Sequence, residues 1–151
     1  MKIAVLGYGT VGSGVVEVLD VNQKLIASRA KEEIEVKYVL DLRNFPGDKI
    51  QEKIVHDYEI ILNDPEIGIV VEVMGGVEPA NTFVRKALEA GKSVVTSNKA
   101  LVAKHGSALL KTAREKNVNF LFEASVGGGI PILRALGSSL TGDALLCCFL
   151  C

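Results

Sequence analysis

Short apolar runs of strand length recur along this chain, each followed by a segment with helical spacing, and that alternation leaves few folds open. The runs are KIAVLG (2–7), VKYVL (36–40), IGIVVEVMG (67–75), KSVVTS (92–97) and VNFLFEAS (118–125). Several are apolar without interruption and rich in Val and Ile, as strands are when both faces of a parallel sheet are covered. Helical spacing falls at 11–30, 78–91 and 100–117. Parallel neighbours need a long crossover between them, so the helices are read as crossovers and the chain as an α/β domain.

Boundary residues agree with that reading. Pro79 suits a first helical turn, Gly91 suits the position just past RKALEA, and Asn117 can play the same part after KTAREK. The stretch 42–66 is less regular, with turn signals at Pro46-Gly47 and Asp64-Pro65 and room for a short strand near Ile60 to Leu62. No internal repeat or low-complexity tract interrupts the order.

The first strand runs straight into GYGTVG, where Gly7, Gly9 and Gly12 form G-x-G-x-x-G at the opening of the first long helix. In a dinucleotide fold the first glycine makes the tight turn, the second lets backbone approach the pyrophosphate, and the third allows close helix-to-strand packing. The helix N-terminus adds free N–H groups and the positive end of its dipole. A glycine triplet alone is weak evidence; one placed after an N-terminal strand and before a helix points to a Rossmann-type doubly wound, mainly parallel sheet with helices on both faces. The ribose end falls at VLDLRN, where Asp41 would accept from ribose hydroxyls and repel a 2'-phosphate. Arg43, helped by Lys49 or Lys53, would instead neutralise that phosphate. Asp41 lies 29 positions after Gly12, beyond the spacing of about 20 common to this motif. NAD and NADP both remain open on these residues.

Charge adds no macromolecular partner. The 17 basic and 18 acidic residues of this 151-residue chain give a net charge of −1, without the field that gathers nucleic acid or an anionic membrane surface. The N-terminal MKIAVLGYG is too short an apolar run for a secretory core or a membrane span, and the expected location is cytoplasmic. Cys147, Cys148 and Cys151 crowd the last residues with no histidine beside them, and are read as reduced thiols. His56 and His105 are isolated and read as structural or solvated; Glu72 and Glu78 flank the Met74-Gly75-Gly76 turn and are left outside the site, Glu78 as a helix cap.

Two later stretches narrow the field: VVTSNKALVAKHG, with Ser97, Asn98 and Lys99 just past a strand, and FEASVGGGIPILRALG, with Glu123 and a triple glycine past the next. Together with GYGTVGSGV and VEVMGG they resemble homoserine dehydrogenase over about residues 1–143. That family reduces L-aspartate 4-semialdehyde to L-homoserine with NAD(P)H. The resemblance implies that Gly7, Gly9 and Gly12 hold the cofactor, with backbone at Thr10 and Val11 on the pyrophosphate and Gly75 and Gly76 beneath the nicotinamide half. It implies that Ser97 and Asn98 border the cofactor, and that Lys99 sits beside nicotinamide and substrate, where an ammonium steadies a developing alkoxide. It also implies that Glu123, Val126, Gly128 and Ile130 bind a monovalent cation such as sodium, mostly through backbone carbonyls.

Residues 1–129 are thus expected to form the dinucleotide-binding domain and 130–143 to begin the family's substrate domain. From about Ala144 the chain departs from the family and ends in an atypical apolar tail, ALLCCFLC (144–151). The family's second domain supplies much of the substrate site, acidic and lysine catalytic groups and the dimer contacts. A chain without it is expected to bind cofactor with little turnover. The alternative is a stand-alone dinucleotide-binding or sensing module without catalysis.

Overall fold

A computed structural model describes residues 1–127 and Leu133. The strands are β1 (Lys2–Leu6), β2 (Glu35–Leu40), β3 (Ile54–Val55), β4 (Ile67–Glu72), β5 (Ser93–Thr96) and β6 (Phe120–Leu121). The helices are α1 (Thr10–Val21), α2 (Gln23–Ala30), α3 (Tyr58–Leu62), α4 (Ala80–Glu89), α5 (Lys99–Glu115) and α6 (Glu123–Gly127), with a short 3-10 turn over Lys49–Lys53. All six strands join one sheet in the order β3-β2-β1-β4-β5-β6, and every neighbouring pair is parallel. This is the open doubly wound sheet expected from the alternation of elements.

The uninterrupted apolar character of β1 follows from its place inside the sheet. Successive side chains of a strand point to opposite faces. Ala4 and Leu6 pack with Val84 and Leu88 of α4 and with Leu101 and Leu109 of α5; Ile3 and Val5 pack on the other face with Val16 of α1 and with Ile50. Strand order reverses between β1 and β4, which opens a crevice beyond their carboxyl ends, the position where open parallel sheets take ligands.

Several boundaries differ from the sequence expectation, each for a local reason. The helical stretch 11–30 divides at Asn22, whose side chain donates to the Val18 carbonyl at 3.1 Å and whose backbone leaves the helical region. Ile60 to Leu62 form part of α3 rather than a strand, because Asp57 caps that helix by accepting from the Glu59 N–H at 2.9 Å. The extra strand in this region is β3, paired with Val39 and Leu40. The third apolar run stops as a strand at Glu72, and the last gives only β6 before turning into α6. Pro79 occupies the N-cap of α4, one residue ahead of its expected place. Gly91 and Asn117 take positive φ after α4 and α5, as their positions suggested.

Among the described residues no helix is long and apolar enough to cross a membrane. The boundary at residue 129, the segments 130–143 and 144–151, and the three cysteines lie outside the described residues, Leu133 excepted.

Leu88 is fully buried between α4 and the sheet. Leu88→Ala is expected to cost about 2–5 kcal/mol of stability, read from the urea midpoint at unchanged slope.

Candidate functional site

The site starts at the turn from β1 into α1. Gly7 has φ of +98°, and its N–H donates to the Leu40 carbonyl at 2.8 Å. A Cβ on Gly12 would lie 1.9 Å from the Gly7 carbonyl oxygen, so only glycine lets α1 seat this closely on the strand. A Cβ on Gly9 meets nothing within 4 Å, which leaves the space above it open. Gly9 is the N-cap of α1 and brings no side-chain acceptor, so the first-turn N–H groups around Thr10 and Val11 have no capping side chain. Thr10 and Val11 are exposed. An open floor of backbone with uncapped donors fits the pyrophosphate of a dinucleotide.

An open cleft of about 530 Å³ lies over this turn and brings together Gly7, Gly9, Asp41, Arg43 and Gly75. Its walls are apolar, from Leu40, Leu42, Val73, Met74, Pro79 and Phe83. Leu42 is 93% exposed beside Asp41, an unusual position for leucine. Tyr58 stacks on Phe83 with ring centroids 4.3 Å apart and donates its hydroxyl to the Phe83 carbonyl, which firms one side of the cleft.

Asp41 and Arg43 do not stand as separate candidates for the ribose end; they form one forked pair. Arg43 donates through Nε to Oδ1 at 3.0 Å and through Nη2 to Oδ2 at 2.9 Å. The N–H groups of Tyr8 and Arg43 also donate to the same carboxylate, and Arg43 Nη2 reaches the Tyr8 carbonyl. The Arg43 guanidinium, followed by these N–H groups, holds the Asp41 carboxyl well below the usual range against the opposing effect of burial. The pair pins the end of β2 to the glycine turn. Lys49 and Lys53 border a different depression, with Asp20, Asp48 and Glu52, rather than the cleft at Asp41.

The second group of predicted residues meets at the carboxyl ends of β4 and β5, past the Gly75 end of the cleft. Asn98 accepts from the Leu101 N–H at 3.1 Å as the N-cap of α5, and its amide donates to the Gly76 carbonyl at 2.6 Å. Gly76 has φ of +79°, a conformation that suits glycine in this turn. The Ser97 N–H donates to the Glu72 carbonyl at 3.4 Å, and Lys99 follows as the first residue of α5, exposed at its N-terminus.

The cation candidates are only partly in view. Glu123 and Val126 lie in α6, and Glu123 Oε1 accepts from the Leu133 N–H at 2.8 Å. Gly128 and Ile130 fall outside the described residues. Among the described residues no group of three or more His, Cys, Asp or Glu is placed to hold a metal ion.

Two residues set aside on sequence grounds belong to the surroundings of the site. His56 lines the cleft, with Nδ1 at 2.6 Å from the Asp41 carbonyl and Nε2 at 3.1 Å from Asn44 Oδ1. Nothing in the sequence near it signals this. Glu72 is fully buried and bonded to the turn that follows it, and a lone acid inside IGIVVEVMG was the available signal. Glu78 caps α4 as expected, accepting from the Thr82 N–H and hydroxyl and from the Asn81 amide.

Two measurements check this geometry. Gly12→Ala is expected to lower stability by about 1–3 kcal/mol through the forced backbone shift, whereas Gly14→Ala, with open space at its Cβ, gains up to about 1 kcal/mol from helix propensity. Thermal melts separate the two. Asp41, depressed in the fold, stabilises the protein above the unfolded value of about 3.9, and that contribution falls away as pH drops below it. Asp41→Asn should therefore be less stable at pH 7 and show a flatter loss of stability below about pH 4 in acid unfolding.

Comparison with known proteins agrees with this geometry. Residues 7–123 match the family model described as homoserine dehydrogenase, NAD binding domain. The homoserine dehydrogenase of Lactococcus lactis is 41% identical over 150 residues, which is 96% of this chain and 35% of that protein. The Pseudomonas aeruginosa enzyme is 42% identical, over 96% of this chain and 34% of its own length. The crystal structure of a homoserine dehydrogenase from Thiobacillus denitrificans superposes with a TM-score of 0.84 at 42% identity, covering 93% of this chain and 33% of that one. The chain thus spans about a third of the length of the curated relatives it matches. It belongs to the homoserine dehydrogenase family, as the NAD-binding domain of that fold.

Proposed function

We propose that this chain holds the NAD(P) of a homoserine dehydrogenase, the part that presents a nicotinamide to L-aspartate 4-semialdehyde for reduction to L-homoserine. The observation that carries this reading is the glycine turn: Gly12 packed against the Gly7 carbonyl while Gly9 is left open under uncapped helix donors. When bound, the nicotinamide supplies a hydride to the aldehyde carbon. The chain's own residues bind and orient. First-turn N–H groups of α1 face pyrophosphate charge, and the apolar side chains of Leu40 and Leu42 beside Asp41 cover the adenosine half. Gly75 and Gly76 floor the nicotinamide half beside Ser97 and Asn98. Lys99 steadies the oxygen that gains charge, and the helix start on which it sits reinforces that positive potential.

At the ribose end, pairing with Arg43 cancels the repulsion Asp41 would exert on a 2'-phosphate. Arg43, 61% exposed, is available to such a phosphate, so NADP is accommodated as well as NAD. Glu123 and Val126 are proposed to contribute to a sodium site together with Gly128 and Ile130. The substrate is a small molecule, the family assembles as a homo-oligomer, and the protein works in the cytoplasm with the cofactor pool of amino-acid biosynthesis. Residues 1–151 match about a third of the relatives' length, and the groups that position the substrate are assigned to the remaining two thirds of those proteins.

Calorimetric titration with NAD and NADP tests the reading. Gly9→Val, whose side chain projects into open space, is expected to keep the melting temperature and abolish binding. Arg43→Ala is expected to weaken NADP about tenfold more than NAD, the worth of a charge-assisted hydrogen bond. A folded wild-type chain that binds neither nucleotide overturns the proposal.

A further inference from the structure

The carboxyl end of β4 carries a charge-bearing side chain where the rest of the strand is apolar. Glu72 is fully buried, and a buried carboxyl is costly unless its oxygens are used. They are used here, by partners in the turn after β4, in β5 and at the start of α5. Oε1 accepts from the Met74 N–H at 2.9 Å and stands 3.5 Å from the Asn98 amide, while Oε2 accepts from the Thr96 hydroxyl. Thr96 Oγ1 in turn accepts from the Asn98 N–H at 3.0 Å. Thr96 itself is buried and lies directly across from Glu72 in the β4–β5 register.

Sheet pairing does not require this network, since the backbone ladder between β4 and β5 is already complete. Burial pushes the Glu72 carboxyl up against the opposing bonds from Thr96, Asn98 and Met74, a cost that an apolar residue would avoid. What the network does is tie the Met74–Gly76 turn, through Asn98, to the start of α5. Asn98 holds the Gly76 carbonyl with its amide and caps α5 with its oxygen, so Glu72 sets the relative position of the turn and of Lys99. Among the described residues, the side chains of Glu72 and Thr96 bond to Met74, to Asn98 and to each other, whereas those of Asp41 and Arg43 bond to each other and to the Tyr8 and Arg43 backbone.

We propose that Glu72 is the positioning residue of the nicotinamide-side wall, acting through Thr96 and Asn98, and that it leaves the adenosine side untouched. This rests on the cofactor reading above. It assigns the glycine turn with Asp41 and Arg43 to one half of the dinucleotide and the Glu72 network to the other, the two adjoining where Met74 lies beside Gly7.

The test compares ADP-ribose, which lacks the nicotinamide, with NAD by calorimetry on the full chain. The variants are Glu72→Gln, which cannot accept all these bonds at once, and Thr96→Val, which keeps shape and removes the hydroxyl. Each is expected to weaken NAD about tenfold, or 1.4 kcal/mol, and to leave ADP-ribose within about twofold. Thr96→Ser, which restores the hydroxyl, is expected to recover NAD affinity. Equal weakening of both ligands, or no weakening of either, overturns the proposal. So does a wild-type chain that binds NAD no better than ADP-ribose, an outcome that leaves the cofactor reading standing. A wild-type chain that binds neither ligand removes that reading and this inference together. If Glu72→Gln fails to fold, the Thr96 pair decides.

Discussion

The contact between α1 and the turn that launches it governs this molecule. A single carbon on Gly12 would collide with the Gly7 carbonyl, so the absence of a side chain there sets how close the helix sits to β1. That seating buries Val16 against Ile3 and Val5 and closes one face of the sheet. It also aims the start of α1 across the crevice where strand order reverses. Core packing and the shape of the crevice therefore depend on the same pair of glycines, while Gly9 has open space above it.

Around that turn the cleft is built from elements far apart in sequence. The Asp41–Arg43 fork closes over the Tyr8 backbone from the end of β2, and the Met74–Gly76 turn enters from the end of β4. Each is stiffened by hydrogen bonds to backbone rather than by its own helix or strand. The charge on Asp41 is balanced by Arg43 and stabilised by N–H donors, so this end of the cleft is less acidic than an isolated aspartate would make it. At the opposite end, Asn98 caps α5, and this cap, its bond to Gly76 and its neighbour Lys99 make one residue the junction between the turn and the helix.

Most of the layered fold could be read from period and punctuation. Continuous Val and Ile runs mark strands covered on both faces, and Gly91 and Asn117 end their helices as left-handed residues. Two of the misplaced boundaries share a cause, a short side chain that bonds to nearby backbone. Asn22 interrupts a helix that apolar spacing alone would carry through, and Asp57 converts Ile60 to Leu62 from strand to helix. The two-residue strands β3 and β6 depend on a neighbour's free edge, which no local pattern announces.

The sequence by itself determined the alternation, the glycine turn and its place after the first strand, because these rest on spacing and on the absence of side chains. It also carried the stretches at Ser97 to Lys99 and at Glu123 that mark the family. Tertiary structure alone decided that Asp41 and Arg43 are one ion pair, that His56 faces the Asp41 carbonyl, and that Lys49 and Lys53 lie elsewhere. It alone showed Glu72 reaching Thr96 on the neighbouring strand and Asn98 just beyond it. The physical reason is that hydrogen bonding between distant residues depends on register and strand order, which become definite only when the sheet closes around its core.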